Sequence, residues 1–282
     1  MAQAKKDTKR NGGRKKSSTR RSSKSKKQKR GDLRWLHTLV AIVVTSTILF
    51  LAFHLVLKKN FFRFTICEGT KAYQTCLPKG YPIFGLDISH HQGEIKWEKL
   101  KNEHDKNAPL RFVYIKATEG RNHKDTRFDK NWKEAKKNGF VRGAYHYFTI
   151  ASSGETQANM FIKNVKLEKG DLPPVIDIEE KPKDREKFKT ELKTFIQKLE
   201  KHYGVKPIIY SYPKFHKSYL NDPFFKGYEM WVAHYYVKKP EIKREWTMWQ
   251  FTDIGRVPGI KQNVDINVIK GGEEKLRELQ IK

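Results

Sequence analysis

The chain has 282 residues, of which 37% are hydrophobic and 12% aromatic, and it carries a formal net charge of +28. This apolar content is enough to form a core, so the composition excludes a wholly disordered chain. A uniformly basic surface would indicate a nucleic-acid or acidic partner, but the charge is concentrated at one end. Residues 1–38 hold 15 of the 59 lysines and arginines and only two acidic residues.

The basic segment at residues 1–38 consists largely of Lys, Arg, Ser, Gly and Gln without hydrophobic periodicity. We expect it to be disordered, because it cannot bury enough apolar surface to offset the entropy lost on ordering. Anionic lipid headgroups are its expected partner. Nucleic acid is not expected, since the tail has no aromatic residue before Trp35 on which bases could stack.

The next stretch, residues 39–57, has no formally charged side chain. As a helix it would span roughly 28 Å, which is about the thickness of a bilayer core, so a transmembrane helix is predicted. A buried core helix would show a polar stripe, and this stretch has only Thr45, Ser46, Thr47 and His54 as polar residues. A cleavable signal peptide would have a shorter basic region and a small-residue cleavage site.

The apolar stretch is therefore predicted to be a permanent signal anchor in the inner membrane. Because the basic residues precede it, the positive-inside bias places the N-terminus in the cytoplasm. Everything from residue 58 onward is then exported, to the periplasm or the extracellular space. Residues 58–80 are predicted to form a stalk that contains both cysteines of the chain, Cys67 and Cys76. In an oxidising compartment a disulfide is expected, and a metal site is the weaker alternative because two thiols cannot complete a tetrahedral shell.

Residues 81–275 have the pattern of a single globular domain, in which short β-rich runs alternate with helical segments. The predicted helices are Asp129–Lys137 and Asp184–Tyr203, the second with one apolar stripe and a stop at Gly204. Eight strands are predicted, at Ile83–Ser89, Phe112–Ala117, Gly143–Phe148, Pro174–Glu179, Pro207–Ser211, Met230–His234, Thr247–Phe251 and Val264–Val268. This pattern predicts an α/β fold, an irregular βα barrel whose last third is short of helices.

Acidic residues stand at the ends of three predicted strands: Asp87, the pair Asp177 and Glu179, and Asp265. Side chains alternate along a strand, so Asp177 and Glu179 face the same way while Glu180 faces the other. Partial burial and mutual repulsion raise the pKa of such carboxyls, which suits general-acid chemistry at neutral pH. The structural alternative is that these acids are caps or ion-pair partners of a lysine-rich chain.

Aromatic residues recur near these acids, among them Tyr147, Tyr210 and Trp249. Their rings would suit the C–H faces of sugars, although many of them could equally belong to the core. Two short sequences carry no comparable signal. The pair His90-His91 lies on opposite strand faces and has no third ligand, and Ser152-Ser153-Gly154 has the composition of a loop.

Five separated motifs lie within about residues 83–270: GLDISHHQG at 85–93, VYIKATEG at 113–120, GAYHYF at 143–148, LPPVIDIE at 172–179, and WQF at 249–251 with VDIN at 264–267. In this order and at this spacing, they resemble the motifs of glycoside hydrolase family 25. The resemblance implies an N-acetylmuramidase on an irregular βα barrel. Such an enzyme cuts the β-1,4 bond from N-acetylmuramic acid to N-acetylglucosamine in peptidoglycan, without a metal or other cofactor.

Carried over residue by residue, the resemblance makes Glu179 the general acid/base and places Asp177, Asp87 and Asp265 around the reacting sugar. Asp177 is either the nucleophile or the group that orients the 2-acetamido group of the substrate. Lys116, Tyr147 and Tyr210 are the substrate contacts that the resemblance implies, and Trp249 is added as a candidate substrate contact because it is one of the aromatic residues near the acids. His91 and Phe251 depart from the aromatic and the tyrosine that the family often has, which concerns substrate fit. The alternative function is a membrane-tethered, non-catalytic glycan-binding module, which would lack the acid.

Overall fold

The computed structural model describes residues 22–65 and 69–282, and side chains at 35–56 and 69–282. Its helices are α1 Ser22–Thr65, α2 Trp97–Glu103, α3 Phe128–Lys137, α4 Gly154–Asn164, α5 Arg185–Tyr203, α6 Pro213–Tyr219, α7 Pro223–Lys226 and α8 Gly272–Leu279. Its strands are β1 Lys71–Ala72, β2 Thr75–Cys76, β3 Phe84–Ile88, β4 Leu110–Glu119, β5 His123–Lys124, β6 Val141–Tyr147, β7 Val175–Asp177, β8 Ile208–Ser211, β9 Met230–Ala233, β10 Met248–Gly255 and β11 Val264–Ile269.

Eight of these strands close into a barrel in the order β3-β11-β10-β9-β8-β7-β6-β4, and β4 pairs back with β3. All neighbours are parallel except β11, which runs antiparallel to both β10 and β3. The eight predicted strands and both predicted helices are present, with boundaries shifted by a few residues. No helix separates β9, β10 and β11 in this described part of the chain, which confirms the prediction of an irregular α/β barrel.

The barrel has an inner core that is separate from the layer between strands and helices. Inside the barrel, the rings of Tyr114 and Trp231 lie 5.0 Å apart between centroids. Glycines leave room for such rings: a Cβ at Gly143 would lie 2.2 Å from the Tyr114 ring, and one at Gly85 would lie 2.2 Å from Phe112. Any larger residue at either glycine would force a ring to move. The barrel is therefore filled by side chains and has no open central pore.

The outer layer is formed by helices that pack their apolar stripes on the barrel. Helix α5 buries the predicted stripe Phe188, Leu192, Phe195, Ile196 and Leu199. Its first turn is capped by Asp184, whose side chain accepts from the Lys187 amide, and it ends at Gly204 with φ 68°. Both ends follow from the sequence, since Asp is a favoured N-cap and glycine adopts the left-handed conformation without strain.

The N-terminal helix is longer than predicted. Within α1, residues Trp35–Val56 form a segment of mean hydropathy 2.5, long and apolar enough to cross a membrane. The helix begins at Ser22, so part of the basic segment expected to be disordered is helical. Lys, Arg and Gln have good helix propensity, and extending an existing helix costs little compared with nucleating one. The rest of that predicted tail, residues 1–21, lies outside the described residues.

The predicted stalk is partly integrated into the globular unit. Strands β1 and β2 form a small hairpin whose Tyr73 is buried. The Tyr73 hydroxyl donates to the Ala108 carbonyl at 2.6 Å, and the Tyr73 carbonyl accepts from the Arg256 amide at 2.8 Å. At the other end, α8 runs past residue 275 to Leu279. Cys76 lies in β2, whereas Cys67 is outside the described residues, so the predicted disulfide stays a prediction.

Candidate active site

Four carboxylates lie at the same rim of the barrel. Asp87 is near the end of β3, Asp177 ends β7, and Glu179 follows two residues later. Asp265 stands at the start of β11, but β11 is antiparallel, and Asp265 is paired directly with Asp87. All four side chains are half-buried. The rim formed by the carboxyl ends of the parallel strands therefore carries the acids that the sequence singles out.

Asp87 is held by two amide side chains from neighbouring strands. Gln250 donates through Nε2 to both oxygens of the Asp87 carboxylate at 2.9 Å, and Asn267 donates through Nδ2 to Oδ1 at 2.7 Å. Both amides are themselves fixed. The Gln250 carbonyl oxygen accepts from the hydroxyls of Tyr210 at 2.7 Å and Tyr235 at 2.5 Å. This network fixes the position of Asp87 and leaves its carboxylate with donors on both oxygens.

The electrostatics of the cluster favour bound protons. Burial raises the pKa of Asp87 to about 6, assisted by the charge of Glu179 and opposed by the amides of Asn267 and Gln250. Burial, followed by the negative charge of Asp87, raises the pKa of Asp265 well above its usual range. Burial and then the charge of Glu179 do the same for the pKa of Asp177. Because like charges this close cannot all ionise, the cluster retains protons at a pH where an exposed carboxyl has lost them.

Asp177 and Glu179 differ in their surroundings. The Oδ1 atom of Asp177 is buried and has no hydrogen-bond partner among the described residues. Burial raises the pKa of Glu179, and the Tyr210 hydroxyl and the Lys116 ammonium oppose that rise. Both carboxyls thus have a raised pKa, Glu179 with partial access to solvent and Asp177 with one buried oxygen that has no hydrogen-bond partner among the described residues.

Lys116 supplies the positive charge at this rim. Its ammonium group donates to Glu119 Oε2 at 2.6 Å and lies 5.0 Å from the centroid of the Tyr147 ring. The ammonium also opposes the rise in the pKa of both Asp177 and Glu179. The structure therefore places Lys116 and Tyr147 close to Asp177 and Glu179, and their contact with a substrate stays a prediction. No group of three or more His, Cys, Asp or Glu side chains within the described ranges is arranged to hold a metal ion.

Comparison with known proteins gives the same assignment as the motifs. The family model for glycosyl hydrolases family 25 matches residues 86–260. The chain belongs to this family. A solved family 25 glycosyl hydrolase from Bacillus anthracis has a TM-score of 0.66 and 37% identity, and the match covers 72% of this chain and 95% of the other.

Two relatives by sequence extend the comparison. Lysozyme M1 of Streptomyces globisporus is 35% identical over 214 residues, which is 70% of this chain and 71% of the relative. The YegX protein of Escherichia coli K12 is 36% identical over 242 residues, covering 85% of this chain and 89% of its own length. Family 25 membership makes this chain a glycoside hydrolase of the lysozyme type.

Trp249 does not line the site of this family 25 domain, contrary to the sequence prediction. Its side chain is 1% exposed and packs outside the barrel, where its indole nitrogen donates to the His234 carbonyl at 2.8 Å. Phe251 points the same way and is also buried. Side chains alternate along β10, so an outward Trp249 puts Gln250 inward. Neither Trp249 nor Phe251 can therefore influence substrate fit by direct contact.

Tyr210 reaches the site, but its ring is buried and its hydroxyl is engaged by Gln250. The Tyr210 hydroxyl therefore holds the Gln250 amide in place and opposes the rise in the pKa of Glu179. Its buried ring does not form an exposed surface on which a sugar could stack. The network around Asp87 is completed by Gln250, Asn267 and Tyr235, of which the sequence indicates only Tyr235, as one of several aromatic residues near the acids. A signal for two of them was present: Gln250 neighbours a tryptophan on a strand, and Asn267 stands two residues after Asp265, on the same strand face.

Proposed function

We propose that this family 25 enzyme is an N-acetylmuramidase that cleaves the β-1,4 bond between N-acetylmuramic acid and N-acetylglucosamine, with Glu179 as general acid/base. One observation carries the assignment of the residues. Asp177 and Glu179 are half-buried on either side of the fully buried Ile178, and they belong to a cluster of four carboxyls whose pKa values are raised by burial and by one another's charge. A paired donor and acceptor of this kind is what glycosidic bond cleavage requires.

The raised pKa gives Glu179 its role in the first step. Its carboxyl transfers a proton to the glycosidic oxygen while the bond from that oxygen to the anomeric carbon breaks. The positive charge that develops on the sugar ring is stabilised by nearby carboxylates, of which Asp87 is held in place by Gln250 and Asn267. In the second step the Glu179 carboxylate removes a proton from a water molecule that attacks the anomeric carbon.

Asp177 can serve this chemistry in two ways, and both retain the anomeric configuration. Its unengaged Oδ1 atom either attacks the anomeric carbon or accepts the N–H of the 2-acetamido group, whose oxygen then attacks. Trapping a glycosyl ester on Asp177 would support the first route. Inhibition by a thiazoline mimic of the cyclised acetamido group would support the second.

The apolar segment of α1 is proposed to anchor the enzyme in the inner membrane, with the N-terminus in the cytoplasm and the barrel exported. Its length and hydropathy support this. The match to YegX spans 242 of the 282 residues, so it extends into the apolar helix and is not limited to the catalytic domain. Exposed peptidoglycan strands would be the partner of the barrel, and anionic headgroups that of the basic tail.

The assignment of the acid is tested by a matched pair of isosteric variants. Glu179→Gln keeps the shape of the side chain but has no transferable proton, so kcat should fall about 10²–10⁴-fold with glycan binding retained. Glu180→Gln is the control. Glu180 accepts from the Ile150 amide at 2.9 Å, an interaction that the amide oxygen of glutamine also makes. If Glu180→Gln were inactive and Glu179→Gln active, the assignment would be wrong.

A further inference from the structure

A buried carboxylate that the proposed chemistry does not use lies at the same rim of the barrel. The Asp125 side chain is fully buried, and its Oδ2 atom accepts from His90 Nδ1 at 2.7 Å and from the His90 amide at 2.9 Å. The other oxygen, Oδ1, accepts from the Arg127 amide at 2.9 Å. A buried carboxylate is stable only when its oxygens are engaged, and His90 supplies two of these three contacts. Asp125 therefore fixes both the position of His90 and the orientation of its ring.

This orientation leaves the second ring nitrogen of His90 open to a ligand. Because Nδ1 faces Asp125, Nε2 lies on the opposite edge of the ring, where it has no hydrogen-bond partner among the described residues. The side chain is 37% exposed. A carboxylate only accepts, so the hydrogen is on Nδ1 and the neutral ring presents Nε2 as an acceptor. The Asp125–His90 pair is thus a fixed acceptor at the surface of the rim.

Two further imidazole rings lie beside that of His90. The prediction that His90 and His91 lie on opposite faces of a strand is wrong, because both belong to a 3-10 turn at His90–Gln92. Their ring centroids are 4.1 Å apart, and the ring of His123 lies 6.4 Å from that of His90. Both His91 and His123 are exposed. Together the three rings, named here the imidazole cluster, form a planar surface of the kind that packs against the C–H face of a sugar.

The imidazole cluster lies on the rim of the acids, at a distance that a glycan strand spans. Strand register gives the path from one to the other, in which each residue is paired with the next: His123, Glu119, Tyr147 and Asp177. Neighbouring strands are about 4.8 Å apart, so His123 is about 14 Å from Asp177 along the rim. Burial raises the pKa of Tyr145, and the charges of Asp177 and Asp125 both add to that rise. Tyr145 is therefore close to the carboxylates of both sites.

We propose that His90, oriented by Asp125, binds a sugar of the glycan strand that lies away from the scissile bond. Nε2 accepts a hydrogen bond from a hydroxyl group or an acetamido N–H of that sugar, and the sugar ring packs against His91 and His123. His90 is then a substrate contact, and Asp125 is a positioning residue that acts through it. This proposal rests on the proposed function, because it requires a strand bound across Asp177 and Glu179.

The test measures kinetics on glycan strands of increasing length, freed of their peptides by an amidase, with the full-length enzyme. On long strands His90→Ala should raise KM about three- to tenfold, the effect of one lost hydrogen bond, and leave kcat nearly unchanged. The ratio of the KM of the variant to that of the wild type should be near one on the shortest strand that the wild type cleaves. It should reach its full value once the strand spans the distance to the imidazole cluster.

Asp125→Asn separates positioning from a structural role. The change keeps the size of the side chain, but an amide does not hold the imidazole in one orientation, so KM on long strands should rise. In the His90→Ala background the same change should not raise KM further, because Asp125 acts through His90. The matched control is His202→Ala, at an exposed histidine in the last turn of α5, which should leave KM unchanged at every length.

The proposal is overturned if His90→Ala keeps the wild-type KM at every strand length. It is also overturned if KM rises equally at all lengths, since that result would indicate a disturbance at the acids. Additive effects of His90→Ala and Asp125→Asn on KM would refute the positioning role of Asp125. A wild-type enzyme that cleaves no strand of any length would instead refute the proposed muramidase function, and this subsite with it.

Discussion

Gln250 is expected to control the protonation of Asp87. The informative change is Gln250→Met, which keeps the length of the side chain and removes its amide. Asp87 then loses the Nε2 donor that lies 2.9 Å from both of its oxygens and retains only the Asn267 amide. A hydrogen bond to a charged group contributes about 1.5–3 kcal/mol, and each pKa unit corresponds to about 1.4 kcal/mol.

The pKa of Asp87, about 6 in the native protein, should therefore rise by about one to two units. A carboxyl with a pKa near 6 is mostly ionised at pH 7, and one with a pKa of about 7–8 is about half to nine-tenths protonated there. The variant should thus lose activity at pH 7 and recover part of it at higher pH. In a pH profile of kcat/KM on solubilised peptidoglycan, the acidic limb should shift upward by about one to two units.

The same change should lower stability, because the buried hydroxyl of Tyr210 and that of Tyr235 lose their acceptor. An unsatisfied buried hydroxyl costs about 1–3 kcal/mol, so the loss of the acceptor of both hydroxyls should lower the free energy of unfolding by about 2–6 kcal/mol. Trp249→Phe, one residue away and facing outward, serves as the comparison: it should lower stability without moving the pH profile. A Gln250→Met enzyme with an unchanged acidic limb would refute this account of Asp87.

Three further predictions concern other parts of the chain. Asp265→Asn should raise the melting temperature at pH 7.5 and not at pH 4. The reason is that a carboxyl with a raised pKa in the folded protein costs stability only as the pH rises above its unfolded pKa of about 4. A stabilisation that persists at pH 4 would contradict this. Cys67 and Cys76 should resist alkylation without reductant in protein from the native envelope, and mass spectrometry that finds both modified would exclude the disulfide. Reporter fusions at Lys58 and Lys282 should both be exported, and a cytoplasmic signal from the Lys282 fusion would contradict the topology.

The strands and the acids could be predicted because both depend on local pattern. Short apolar runs separated by turn residues indicate strands, and Asp177 and Glu179 share a face because side chains alternate. The bounds of helix α5 could be predicted equally well, since Asp184 and Gly204 mark its ends. These features need no knowledge of what lies across the barrel.

The contacts around Asp87 could not be predicted, because they join residues far apart in the chain. Gln250 and Asn267 meet Asp87 only after β10, β11 and β3 have paired, and the chain separates them by 163 and 180 positions. The aromatic character of Trp249 predicts that it lies at the site, but on β10 it is the side chain of Gln250 that faces inward and contacts Asp87. The helical conformation of the basic segment from Ser22 onward could not be predicted for a different reason, since helical propensity and continuity with an apolar helix outweigh its charge.

The identity of the bond that is cleaved tests the central claim most directly. Purified peptidoglycan should be digested with the wild-type enzyme and, in parallel, with Glu179→Gln, and the soluble fragments reduced and analysed by mass spectrometry. The proposed muramidase chemistry predicts fragments that end in reduced N-acetylmuramic acid with the wild type, and almost none with the variant. Fragments that end in reduced N-acetylglucosamine, or equal yields from both enzymes, would contradict it.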